Sequence, residues 1–337
     1  MWTIRIVDNR VVIGERFAIS FQRTLRIPDD GKAYPLPPSL GKFPVQRVED
    51  YQGHLPASWV QEGGVFIPMY QREALWLAFE AASWKPNAVK IGIGRVNALT
   101  GGEWSEGLRD DPQDYLVCPE QPWLDGINSG DGAIRQFVAM PLGQGYTVEA
   151  QITGREQFGG LQVLVYDPKP GRFPDQPPPA PESPFGPVRM MNYAMAGPPP
   201  SLEMGVGAGG QIVQKVYPDP YGLETWDQTH CGNLFVHIVN SLQYEQITGC
   251  PLPPSPVNAK TYTEYGFPWF ELYDEAKDQL TAGEKLKEVK SVRQLDEQKG
   301  VPHGVDETSF EVGPGQIEGM DPEQIEKSYR QSTGYEE

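Results

Sequence analysis

The chain has 337 residues and a mass of 37.5 kDa, enough to bury a core that stands without disulfides or a metal. With 45 acidic against 28 basic residues it carries a net charge of −17, a field that repels polyphosphate backbones and anionic lipid headgroups. Its 37 glycines and 34 prolines make up about a fifth of the chain against a usual 12% or so, so many loops must join the structured pieces, while 11% aromatic content excludes a wholly disordered chain.

Met1 to Asp8 lacks the basic region, apolar stretch and small-residue cleavage site of a signal peptide, and no later run approaches the roughly 18 apolar residues of a spanning helix. Cysteines number three, an odd count. These features, with the absence of an N-x-Ser/Thr acceptor, predict a cytoplasmic protein with reduced thiols.

The first half reads as short strands. Val11-Val12-Ile13, Phe17 to Phe21 and Thr24 to Ile27 have strand-like residue types, and Asp29-Asp30-Gly31 reads as a turn. Further strands are expected over 64–67, 88–93, 134–140 and 161–166, each flanked closely by Gly, Pro or Asp. Glu73 to Ala82 is rich in Ala, Leu and Glu and exceeds a typical strand, which predicts a helix. Thr147–Thr153 and Ser241–Thr248 each end at a glycine placed as a left-handed C-cap, although the first is β-branched enough to be a strand, and Asn258 is positioned to cap a helix that runs to Tyr265. The two glycine-stopped runs follow Phe137-Val138 and Phe235-Val236, an echo that chance explains better than duplication because the spacings differ.

Composition changes at 171–200, where ten of thirty residues are proline; this stretch is expected to be an extended linker or long loop. After it, Gly205-Val206-Gly207-Ala208-Gly209-Gly210 formally matches a phosphate-cradling fingerprint. The mechanism needs a strand before the glycines and a helix after them, whereas Pro198-Pro199-Pro200 precedes and the β-like Gln211 to Tyr217 follows. A flexible turn is the reading there. From 275 onward, 15 acidic and 8 basic residues with three aromatics predict a mostly disordered acidic tail. Within it Leu286, Val289, Val292 and Leu295 recur every three residues, and one short amphipathic helix is expected to dock there. The basic residues of this stretch, Lys285, Lys287, Lys290 and Arg293, alternate with Glu284, Glu288 and Asp296 and so form no patch for nucleic acid.

The predicted architecture is mainly β, with α+β as the alternative: sandwich- or barrel-like antiparallel sheets with a few short helices and an extended C-terminal tail. Residues 1–170 form a β-rich domain, 171–200 a Pro-rich connection, 201–274 a second β-rich segment with short helices packed on the first, and 275–337 the tail.

Chemistry is harder to locate. Adjacent His230 and Cys231 would point to opposite faces of a strand, and no Gly-x-Ser-x-Gly elbow is present. Asp110, Asp111, Asp114, Asp125, Asn128 and Asp131 stand among glycines without the alternate spacing of a calcium loop, and turn chemistry accounts for them. No cofactor or metal is expected. Asp125 near Trp123 and Asp227 beside Trp226 suit a sugar ring between an acid and an aromatic platform, which makes a carbohydrate-active hydrolase the alternative function. Tyr262, Tyr265, Phe267, Trp269, Phe270 and Tyr273 cluster within twelve residues, as a core-closing element or as a contact surface. The leading expectation is a non-catalytic binding or assembly protein with a protein partner, contacted through Trp123, Trp226, Trp269, Phe270 and Tyr273, with no nucleic acid or membrane involved. The sequence carries no signal for oligomeric state.

Overall fold

The structure, a computed structural model, describes residues 2–130, 132–176, 202–252, 254–272, 277–302 and 304–320. Most of the Pro-rich connection (177–200), Tyr273 and residues 321–337 of the acidic tail lie outside the described residues.

In chain order the elements are β1 (Ile4–Val7), β2 (Arg10–Ile13), β3 (Phe17–Thr24), β4 (Ala33–Tyr34), β5 (Gln46–Arg47), α1 (Ala57–Glu62), β6 (Val65–Met69), β7 (Ala74–Glu80), β8 (Asn87–Ile93), β9 (Val96–Asn97), β10 (Leu116–Cys118), β11 (Trp123–Leu124), β12 (Gly126–Gly130) and β13 (Ala133–Pro141). There follow α2 (Val148–Thr153), β14 (Leu161–Tyr166), β15 (Glu203–Val213), β16 (Gly232–Asn240), α3 (Ser241–Thr248), α4 (Ala259–Glu264), β17 (Trp269–Leu272), α5 (Glu284–Lys287), α6 (Val292–Lys299) and β18 (Ile317–Met320).

The expected mainly β, antiparallel architecture is what the chain adopts. One large sheet runs β1-β2-β3-β7-β13-β15-β16-β14-β8-β10, with every neighbouring pair on that path antiparallel. Its path has two open ends, β1 and β10, so it is not a closed barrel. It folds back on itself: Ile13 of β2 lies against Gly232 of β16, where an added Cβ would sit 2.4 Å from the Ile13 side chain. Strands β15 and β16, which follow the Pro-rich stretch, insert between β13 and β14 from before it. Among the described residues no helix is long and apolar enough to cross a membrane.

Period-two alternation sorts the side chains into one shared core and three satellites. Val89, Ile91 and Ile93 of β8, Leu161, Val163 and Val165 of β14 and Phe137 and Ala139 of β13 face the shared core. The alternate residues face outward into smaller clusters, each covered by a different part of the chain. Ala88, Leu164 and Tyr166 meet Leu108, Tyr115, Val117 and Trp226. Phe66 and Val239 are covered by Val48, Trp59 and Tyr244. Val138 and Met140 are covered by Tyr146 together with Val292 and Leu295 of α6.

Three expectations are corrected. Residues 74–80 are strand β7 and not a helix, because Leu75, Leu77 and Phe79 alternate into the shared core while the backbone pairs with β3 and β13; tertiary pairing outweighs the helix propensity of Ala and Leu. The Gly205–Gly210 run is the middle of β15 and not a flexible turn. Its glycines admit close neighbours: a Cβ on Gly210 would sit 2.2 Å from the Pro28 carbonyl, and one on Gly207 2.9 Å from that of Tyr146. Of the stretch expected to be mostly disordered from 275, the described parts, 277–302 and 304–320, pack on the body, while 321–337 lies outside the described residues. Where one docking helix was expected there are two, α5 and α6, and Leu286, Val289, Val292 and Leu295 are all buried.

Helix ends follow the expected chemistry. Gly154 and Gly249 close α2 and α3 in the left-handed conformation, at φ +73° and +69°, and the Asn258 side chain accepts from the Thr261 amide at 3.2 Å to start α4.

Candidate functional site

Asp125 lies between β11 and β12 and is only 2% exposed. Its carboxylate accepts from the Gln214 side-chain amide at 2.9 Å, while its backbone N–H donates to the Gln214 side-chain oxygen at 3.0 Å. Burial pushes this carboxyl up to about 7, with the Gln214 hydrogen bond pulling the other way. Asp227 is in a different setting. It lies at the surface after Trp226, accepts from the hydroxyl and amide of Thr229 at 2.6 and 3.0 Å, and is held below the usual carboxylate range by those two bonds. One acid is enclosed and the other sits on a surface turn, two unlike settings for a catalytic pair. Among the described residues no group of three or more His, Cys, Asp and Glu side chains is placed to hold a metal ion.

The tryptophans beside these acids are structural. Trp226 is fully buried in the second cluster and its indole N–H donates to Asp219 at 2.8 Å. Trp123 is 7% exposed and meets Trp76 edge to face at 6.2 Å.

The aromatic segment that follows Asn258 divides by depth. Trp269 is fully buried, donates from its indole to the Thr263 hydroxyl at 3.1 Å, and lies 5.4 Å from the Phe310 ring and 6.5 Å from Tyr34. Phe270, partly buried against the shared core, exchanges two backbone hydrogen bonds with Leu36 at 2.8 and 3.0 Å. Tyr262 is intermediate: edge to face with Trp269 at 6.3 Å, 5.0 Å from Phe267, its hydroxyl on the Pro268 carbonyl at 3.1 Å. Beyond it the rings reach solvent. Tyr265 is 75% and Phe267 50% exposed, 6.2 Å apart, and Val257, just before the helix cap, is 43% exposed.

Local sequence explains this shelf. Helix α4 is stopped at Tyr265, Gly266 takes φ +75° to reverse the chain, and Pro268 cannot continue a helix, so Phe267 is turned outward on a tight corner. The corner is tied from outside by Gln316, whose side-chain amide donates to the carbonyls of Thr263 at 2.9 Å and Phe267 at 3.4 Å. The result is a graded stack of rings with a locked inner end and an exposed outer end. Of the predicted binding residues, Trp123, Trp226 and Trp269 belong to the core. The exposed pair, Tyr265 and Phe267, came from the same aromatic cluster; the Gly266 and Pro268 between and after them are the sequence signal that marks the outward corner.

No protein-family model, curated protein or solved structure matches this chain.

Proposed function

We propose that this is a non-catalytic binding or assembly protein that meets a protein partner through the shelf formed by Tyr265 and Phe267. The observation that carries the reading is the exposure of two large rings on a corner supported by the partly buried Tyr262, which in turn packs on the core residue Trp269. Exposed Tyr and Phe held in place lose little conformational entropy on contact and supply large apolar area, which is why aromatic residues concentrate at interface hot spots. A net charge of −17 favours a protein over a nucleic acid as the partner, and three unpaired cysteines are consistent with a cytoplasmic setting. The hydrolase alternative draws on the raised carboxyl of Asp125, a property suited to a general acid, but that group is enclosed and bonded to an amide.

The test replaces Tyr265 and Phe267 together by alanine in the full-length chain. Tyr265 is largely exposed and Phe267 half exposed, so the variant is expected to stay folded with a loss of about 1–2 kcal/mol or less, checked by chemical denaturation. Proteins that co-purify with the parent and can be cross-linked at position 265 are expected to be lost from the variant. Retention of every such partner at parental yield removes the shelf from the contact.

A further inference from the structure

We infer that the described residues 284–302 and 304–320 form a strap that opens from the sheet as one unit, held shut by two buried carboxylates, Asp296 and Glu307. Among its described residues the strap has no core of its own. Leu286, Val289 and Phe310 join the shared core of the body, and Val292 and Leu295 cover Val138, Met140 and Tyr146. Among the described residues its backbone joins the large sheet through one bridge, Ser291 to Ala208, and its strand β18 pairs with β17 in a separate two-stranded sheet.

The charges mark the seam. Asp296 is fully buried and its Oδ1 accepts from Arg72 and from the Tyr146 hydroxyl, both at 2.8 Å. Its Oδ2 and the Arg72 Nη1 are buried with no hydrogen-bond partner among the described residues. Glu307, 4% exposed, binds Arg26 and accepts from the Asp29 amide at 3.0 Å. Here too the Arg26 Nε and Nη1 are left without a hydrogen bond, and the neighbouring Asp306 Oδ2, 3.8 Å from Nε, lacks one as well. Burying charges is unfavourable unless every donor and acceptor is met. Opening the strap hydrates these atoms, so it costs less than the apolar area beneath the strap alone would imply, and local opening below the global unfolding free energy is the consequence. The movement requires no partner at the aromatic shelf.

Hydrogen exchange on the full-length protein tests this, with Asp296→Asn and, separately, Glu307→Gln. Each keeps the shape of the side chain and removes its charge. Either substitution is expected to raise exchange about tenfold or more across both 284–300 and 305–320, while amides of β8, β14 and β16 keep their parental rates. If the increase stops near the substituted residue, if the sheet accelerates by the same factor, or if no rate changes, the strap is not a unit held by these carboxylates.

Discussion

Two buried ion pairs of the sheet body and the pair that Asp296 makes at the seam with the C-terminal strap differ in how completely they are bonded; elsewhere in the body, among the described residues, Glu80 Oε1 beside Arg10 also lacks a hydrogen bond. In the body, Arg23 donates to Glu73 at 2.8 Å and to the Pro254 carbonyl, while the other Glu73 oxygen accepts from the Tyr70 amide at 2.9 Å. Lys90 donates to Asp114 and to the Gly107 carbonyl, both at 2.8 Å, and the second Asp114 oxygen accepts from the Arg109 amide at 2.9 Å. Each of these carboxylates uses both oxygens. At the seam, Asp296 of the strap and Arg26 and Arg72 of the body leave atoms unbonded among the described residues, although Glu307 uses both its oxygens. A fully bonded buried pair fixes the loop it ties, because removing either partner strands a charge; a partly bonded one holds a seam that solvent can compete for.

The largest expected effect tests the tight side of that contrast. Glu73→Ala leaves Arg23, 6% exposed, without its counter-charge, and a loss of about 3–5 kcal/mol is expected in a chemical denaturation followed by the whole sheet. Asp296→Ala is expected to move that same transition far less, since the strap can open and hydrate Arg72 before the sheet unfolds. Equal losses in the two variants would erase the distinction between body and strap.

The spacing of Leu286, Val289, Val292 and Leu295 made a docked helix legible, whereas the order of the segment as a whole was not, and the reason lies in how composition is weighed. Composition counts a segment's apolar residues against its backbone entropy and assumes that they pack on each other. Leu286, Val289, Val292, Leu295 and Phe310 are few, yet all five are buried on surfaces supplied from far away in sequence. The glycines of β15 resemble a turn in sequence for a related reason: what requires them is the Pro28 and Tyr146 backbone pressed against them, and no local pattern encodes that approach. Strands such as 161–166 and the glycine-capped ends of α2 and α3 were legible because their cause lies within a few residues. At β7 the cause was present but outvoted, as Leu75, Leu77 and Phe79 alternate within a run of good helix formers. Exposure is the least local property of all. It places Trp226 and Trp269 in the core and Tyr265 and Phe267 in solvent, although all four are large aromatic residues near a turn.

A smaller effect concerns Asp125, a buried acid of the body that meets an amide and no counter-charge. In the unfolded chain its carboxyl titrates near 3.8, and in the fold burial raises this to about 7. Between these values the folded state binds more protons than the unfolded state, so the group's contribution falls as pH rises from about 4 to 7. His237 has the opposite sign. Stacked on Trp59 at 4.5 Å and lowered by burial from 6.5 to about 4, it lets stability fall as pH drops through that window. Asp125→Asn removes the first contribution alone. The stability of the variant relative to the parent is therefore expected to rise from pH 4 to 7, by up to about 1.4 kcal/mol per pH unit, as read from urea denaturation at several pH values. A difference that stays flat across this range would mean that the carboxyl is ionised in the fold.

The smallest effect is expected at Asp227, the acid that sequence paired with Asp125. Its carboxylate caps a surface turn through Thr229, and the backbone bond from its own N–H to the Asp167 carbonyl, at 2.9 Å, survives truncation. Water replaces the lost acceptor at no desolvation cost, so Asp227→Ala is expected to change unfolding free energy by about 0.5 kcal/mol or less. Trp226, next in sequence, is anchored through Asp219 and not through Asp227, which keeps the second cluster intact in the variant. A loss above about 1 kcal/mol would show that this turn clamps Trp226 into the sheet, and would place a surface charge among the groups that hold the body together.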